Sequence, residues 1–253
     1  MVKTNLAGMN LDRFTPAILM PLPDRDFDPS ESAIPWEVCT SRGWRVAFST
    51  EAGAVAQTDP HLLKGPLPGL LSAGAKAQAA YQKMAQDPSF QRPIPYAEIE
   101  PDRYQALLLP GGHNTGMRQY LESPVLRDKV LQFWQQDKLL GAICHGMLVL
   151  ARTIDPQTGR SVLYGHEVTA LPRSLDRTGY LLDAWLLKRG YVMYSCCVDE
   201  EVRLCLERPE DFSSGGSIFV PYVVSDGDLI TSRWYMDAGL FAERFADALQ
   251  ARM

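Results

Sequence analysis

The chain has 253 residues, 46% hydrophobic and 22% charged, with a formal charge of -5. A chain of this size buries roughly 70–75% of its unfolded surface, so a large core is attainable, and the ordinary composition argues against disorder and collagen-like repeats. Mild acidity without a Lys/Arg block leaves no footprint for nucleic acid or an anionic membrane, and no apolar run approaches the ~20 residues of a spanning helix. Met1 to Phe14 lacks a basic head followed by an apolar stretch, so secretion is not expected. Five cysteines, an odd number, do not read as a disulfide framework and point to a reducing cytoplasm. Only His61, His113, His145 and His166 are available for imidazole chemistry.

In chain order, Thr15 to Met20 reads as a first strand ending in a Pro-Leu-Pro turn. Ser30-Glu31-Ser32 opens a helix over Ala33 to Ser41, with apolar residues at helical spacing, and Gly43 closes it. Trp44 to Ser49 is a second strand. From Glu51 to Tyr96 the chain turns rich in Ala, Gly, Gln and Pro, with a helical middle from Gly69 to Gln86, which reads as an insertion. Tyr104 to Leu109 is an apolar strand running into Pro110-Gly111-Gly112. Val125 to Gln135 is an amphipathic helix, and Leu139 to Ile143 is another buried strand, followed by the helix Met147 to Arg152. Further strands are expected at Glu167 to Leu171, Tyr191 to Val198, Ser217 to Val224 and Leu229 to Arg233, with helices at Ser174 to Arg189 and Met236 to Gln250. This alternation predicts an α/β fold with a doubly wound, largely parallel sheet sandwiched by helices.

The sharpest local signal is Gly141-Ala142-Ile143-Cys144-His145-Gly146. A buried strand turns directly into a helix, with small residues around one cysteine, at the carboxyl end of the sheet where open α/β folds place ligands. A helix N-terminus favours a thiolate, so a depressed Cys144 pKa is expected. Backbone N–H groups near Cys144, with those of Gly111 and Gly112 on the preceding strand end, could stabilise an oxyanion. His61 and His166 read as surface residues. Cys196 and Cys197 read as structural members of an apolar strand, and Cys39 and Cys205 as packing.

The segments AICHG, LLLPGGH (Leu107 to His113), SESAIP with Glu31, and DGDLITSR (Asp226 to Arg233) resemble the ThiJ/PfpI superfamily over roughly Pro16 to Leu249. The resemblance implies one flavodoxin-like, class I glutamine amidotransferase-like domain over residues 1–253. In it the elbow carries the nucleophile, and helical caps are inserted at about 51–100 and 173–215. It further implies Cys144 as nucleophile, Glu31 reaching the sulfur from the first helix, His145 as the adjacent base and Asp176 as the third, acidic member. Read without the resemblance, Glu31 and Asp176 are also ordinary acidic residues at helix starts. His113 and Asn114 would line the pocket with Gly111 and Gly112. After DGDLITSR the chain departs from the family pattern at Trp234-Tyr235-Met236-Asp237, where bulky residues could reshape substrate choice.

Glutaminase chemistry needs a downstream His-x-Glu pair, and no histidine follows His166. HExxH, paired CxxC, GxxxxGK[ST] and strand-linked GxGxxG motifs are all missing, so no metal or other cofactor is expected. Cofactor-free thiol chemistry remains. The resemblance implies a glutathione-independent glyoxalase or deglycase acting on a small reactive carbonyl, such as methylglyoxal, in a cytoplasmic homodimer. A cysteine peptidase or amidase would use the same residues, and a holding chaperone or thiol redox sensor would need no turnover.

Overall fold

The computed structural model describes residues 17–65, 68, 72–186 and 193–253. Strand β1 (Ala17–Pro21) leads through the short β2 (Arg25–Phe27) into helix α1 (Pro29–Ser41). That helix starts before the predicted Ala33 because Asp28 caps it: its Oδ1 accepts from Ser30 N at 2.7 Å and Glu31 N at 3.1 Å, with Pro29 in the first turn. β3 (Arg45–Thr50) follows, then β4 (Gln57–Thr58), α2 (Pro60–Lys64), α3 (Ala75–Met84) and β5 (Ile94–Pro95). Phe90, just before β5, meets Phe48 edge-on at 5.2 Å, which ties this segment to the core.

β6 (Ala106–Leu109) and β7 (Leu139–Ile143) are buried along their whole length, as expected of parallel strands covered on both faces. Between them lie α4 (Met117–Glu122) and α5 (Pro124–Gln135). After β7 a 3-10 turn, Cys144–Gly146, leads into α6 (Met147–Ala151). The minor pair β8 (Ile154–Asp155) and β9 (Arg160–Ser161) precedes α7 (Arg173–Leu186) and α8 (Val198–Arg203). The chain closes with β10 (Val223–Asp226), β11 (Leu229–Ser232) and α9 (Ala238–Ala251).

The main sheet has seven strands in the order β10-β11-β7-β6-β1-β3-β5, parallel throughout except for the β10–β11 hairpin. α1 and α9 pack together over β3, β7 and β11, while α5 and α6 pack on each other and on β7. α8 sits on α6, and α7 on α8. Arg152, at the end of α6, pins α8 through a two-pronged ion pair with Glu201 at 2.6 and 2.9 Å.

Three strand expectations are corrected. Glu167 to Leu171 forms only an isolated bridge, Val168 to Phe212, because its neighbouring N–H groups pair with side chains, Glu167 N–H with Asp226 Oδ2 and Thr169 N–H with the Thr231 hydroxyl. Tyr191 and Val192 lie outside the described residues, and Met193 to Cys197 is irregular, with Val198 already opening α8. Cys196 and Cys197 are therefore not in a strand. Ser217 to Val224 is mostly a turn, with the strand starting at Val223. Thr15, Pro16, the 69–71 start of the predicted helix over 69–86 and the 187–189 end of the predicted helix over 174–189 lie outside the described residues.

Candidate active site

Cys144 adopts φ 59°, a left-handed conformation that costs an L-residue roughly 1–2 kcal/mol. Its neighbours hold it there. A Cβ on Gly146 would strike the Leu109 carbonyl, and one on Gly111 would lie 2.8 Å from Cys144 Cβ and 2.7 Å from Glu31 Oε2. The two glycines let β6 and the elbow approach closely enough to trap the thiol, which is 6% exposed.

Glu31, 1% exposed, comes from the first turn of α1 to the Cys144 side chain, and each acts on the other's ionisation. The Gly111 N–H donates to Glu31 Oε2 at 3.0 Å, so this N–H holds the carboxyl instead of pointing at an incoming oxyanion. Burial, and then the charge of Asp28, push the Glu31 carboxyl well above the usual carboxylate range. Burial and the carboxylates of Glu31 and Asp28 likewise push the Cys144 thiol up. The depressed thiol pKa expected from the helix N-terminus is thus overturned: desolvation outweighs the backbone N–H of His145, which acts in the other direction. Alkylation of Cys144 by iodoacetamide, followed by mass spectrometry, is expected to keep accelerating through about pH 9, near the ordinary thiol value. A plateau below about pH 8 would contradict it.

His145 is 1% exposed, with Nδ1 3.5 Å from Cys144 Sγ and Nε2 3.9 Å from Asp176 Oδ1. The second distance is too long for a hydrogen bond, and Asp176 Oδ1 has no hydrogen-bond partner among the described residues. Burial, helped by His113 and Arg152, lowers the His145 pKa to about 3, so the ring is neutral. Burial raises the Asp176 carboxyl, while the Val198 N–H and nearby His113 act to lower it. Cys144, Glu31, His145 and Asp176 therefore meet at one place, brought there by three parts of the chain: α1, the Cys144–Gly146 turn and α7.

The His113 ring lies nearly parallel to that of His145 at 6.5 Å and is 6.1 Å from Tyr180 of α7. Asn114 is committed to loop structure, donating from Nδ2 to Asp59 Oδ2 at 3.0 Å and accepting from Thr115 N at 2.7 Å. Gly112 adopts φ 152° and carries its loop hard against the backbone of Asp26 and Asp28. His166 lies away from this cluster, half-buried, with Nδ1 2.9 Å from Asp226 Oδ2 and its ring edge-on to Trp134.

Sequence reasoning missed one group near the site, Asp28, and read another, Tyr235, only as a bulky neighbour. Burial raises the pKa of Asp28 to about 6, and Asp59 adds to the rise. The Asp28-Pro29 pair ahead of Ser30 was a legible helix-cap signal. Tyr235, in the segment that departs from the family pattern, is pushed to about 12 by burial and by Asp28 and Glu31. Asp237 from the same turn forms a fully buried ion pair with Arg233, at 2.8 Å from Nε and 2.9 Å from Nη2. Among the described residues no three His, Cys, Asp or Glu side chains gather so as to hold a metal ion, and no helix is long and apolar enough to cross a membrane.

A family model described as ThiJ/PfpI family-like matches residues 22–209. The chain belongs to the ThiJ/PfpI family. A curated relative, the glutathione-independent glyoxalase hsp3102 of Schizosaccharomyces pombe, is 26% identical over 165 residues, which cover 64% of this chain and 65% of that protein. The match thus spans about two thirds of that relative's length. Among solved structures, the Rapid Encystment Protein 24 kDa of Francisella tularensis superposes with a TM-score of 0.73 at 20% identity, covering 93% of this chain and 99% of that one. Glyoxalase III from Candida albicans does so with a TM-score of 0.69 at 16% identity, covering 92% and 97%. At these identities the superpositions establish the ThiJ/PfpI fold.

Proposed function

We propose that this chain is a cofactor-free, cysteine-dependent enzyme acting on small reactive carbonyls, converting methylglyoxal to lactate without glutathione. The observation that carries this reading is the buried Glu31 carboxyl held against the Cys144 thiol on a strained elbow, with the neutral His145 ring 3.5 Å from the sulfur. The glyoxalase named among its relatives supports it. In this scheme His145 Nδ1 takes the thiol proton as Sγ bonds to the aldehyde carbon of methylglyoxal, giving a hemithioacetal. His145 passes that proton to the hemithioacetal oxygen and, neutral again, takes the hydrogen on C1 as a proton; an enediol forms, and the same proton is delivered to C2 to give a lactoyl thioester. Water then cleaves the thioester, releasing lactate and restoring the thiol. Glu31 holds or returns a proton at the oxygen formed beside the sulfur, and Asp176 orients the imidazole.

Within this proposal Tyr180 of α7, 6.1 Å from His113, borders the mouth of a site for a small substrate. Within the same proposal the chain is a single domain whose inserted segments shape this mouth, and it works as a cytoplasmic homodimer. The test incubates purified protein with methylglyoxal and follows lactate. Wild type should turn over, and Cys144→Ser should fall to the uncatalysed background, a loss of at least about a thousandfold, as expected when a nucleophile is removed. No lactate above the Cys144→Ser level would sink the reading.

A further inference from the structure

α7 brings Asp176, Gly179 and Tyr180 to the His113–His145 pair. Asp176 Oδ1 is 3.9 Å from His145 Nε2, a Cβ on Gly179 would lie 3.8 Å from His113 Nε2, and the Tyr180 and His113 rings are 6.1 Å apart. The Tyr180 hydroxyl accepts from the Met193 N–H at 3.1 Å, and the next residue, Tyr194, is gripped by charged side chains. Its hydroxyl accepts from Arg152 Nη1 at 3.2 Å and donates to Glu122 Oε1 at 3.0 Å. The guanidinium carbons of Arg152 and Arg118 lie over its ring, 4.5 and 5.5 Å from the centroid. Arg118 also pairs with Glu122 at 2.9 Å, and Arg152 Nη1 donates to the Leu121 carbonyl at 3.3 Å. The grip therefore stands on α4 and on the end of α6, the helix that follows the Cys144–Gly146 turn.

We propose that Tyr194 is a positioning residue of the Cys144 site: anchored to α4 and α6, it holds Met193 so that Tyr180 and Asp176 of α7 stay seated against His113 and His145. The proposal rests on the reading of His145 as base and Asp176 as its orienting partner. From α8, the Val198 N–H reaches Asp176 Oδ2 at 3.4 Å, long for such a bond, so α7 depends on a further tie. Arg152 serves both routes: Nε and Nη2 hold Glu201 of α8, while Nη1 holds Tyr194. Two guanidiniums over one ring, joined to two hydroxyl hydrogen bonds, form a network whose members fix one another. Loosening it frees α7 without touching the sheet, so it disturbs the orientation of the base and leaves Cys144 in place.

The experiment follows, on the full chain, lactate formation from methylglyoxal and amide hydrogen exchange read by mass spectrometry. Tyr194→Leu removes both ring and hydroxyl. It should lower kcat about tenfold at unchanged KM, less than the roughly hundredfold that a misplacement of about 1 Å can cost. Peptides from 173–186 should exchange about tenfold faster while those of β6 and β7 keep the wild-type rate, because the opening is local. Tyr194→Phe keeps the ring beside both guanidiniums and should lower kcat about threefold, with exchange again confined to 173–186, the effect of the lost hydroxyl bonds. In a Tyr180→Phe background, which lacks the acceptor for the Met193 N–H, Tyr194→Leu should add no further loss. Wild-type kcat and exchange in both Tyr194 variants would overturn the proposal. So would faster exchange that spreads equally to β6 and β7, or an undiminished loss in the Tyr180→Phe background. Faster exchange confined to 173–186 in a protein that makes no lactate would support the positioning role while removing the glyoxalase reading.

Discussion

Glu31→Gln is expected to raise the reactivity of the Cys144 thiol while lowering turnover about a hundredfold, within the range for loss of a general acid or base. Glutamine keeps an oxygen for the Gly111 N–H, now bound to Glu31 Oε2 at 3.0 Å, and keeps a polar group at the sulfur. It carries no charge, so one of the causes that push the thiol up disappears. The thiol then titrates lower, and iodoacetamide labels it faster at any pH below its wild-type midpoint. Lactate formation moves the opposite way because the amide can neither hold nor return a proton. Glu31→Ala adds a structural loss of about 1–3 kcal/mol, since the Gly111 N–H is left buried without its acceptor. Slower labelling of Glu31→Gln, or turnover equal to wild type, would contradict this account of the pair.

The second large effect is on stability. Asp237→Ala is expected to cost about 3–5 kcal/mol in urea unfolding, the usual penalty for leaving a buried charge unpaired. Arg233 is 0% exposed, and Asp237 meets it through Nε, Nη2 and the backbone N–H while also accepting from Tyr222 N at 3.0 Å. The guanidinium additionally holds the carbonyls of Ser214, Ser217 and Val220, so the pair organises the segment leading into β10. The double variant Arg233→Met/Asp237→Leu should recover part of the loss, because it removes both charges together. A loss below about 1 kcal/mol for Asp237→Ala would mean that the unpaired guanidinium finds water.

The strands nearest the thiol were legible because they are continuous apolar runs: Ala106–Leu109 and Leu139–Ile143 both lie within the predicted spans. The elbow announced itself through the glycines that its close packing demands. Residues 187–222 were harder to read, because apolar residues there follow no period. Tyr191 to Val198 looked like a strand, although Asp199-Glu200-Glu201 after it is a helix-start signal, and α8 begins at Val198. β2, β4 and β5 have two or three residues each, too few for any alternation to show. The high thiol pKa could not be anticipated, because it depends on how deeply Cys144 is buried beside two carboxyls from another element.

The sheet order carries a consequence for biosynthesis. β7, which ends just before Cys144, is flanked on one side by β6 and on the other by β11, which pairs with it from Leu229 to Ser232. Chains leave the ribosome N-terminus first, so Cys144 emerges long before the strand and the final helix that close this side. Until Leu229 to Ala251 are made, β7 is an open edge that invites pairing with other chains. A ribosome stalled before β11 would therefore hold a family member with Cys144 already synthesised but its fold unsealed. The synthesis of β11 and α9 decides whether that thiol is sealed inside the fold or left to aggregation and oxidation.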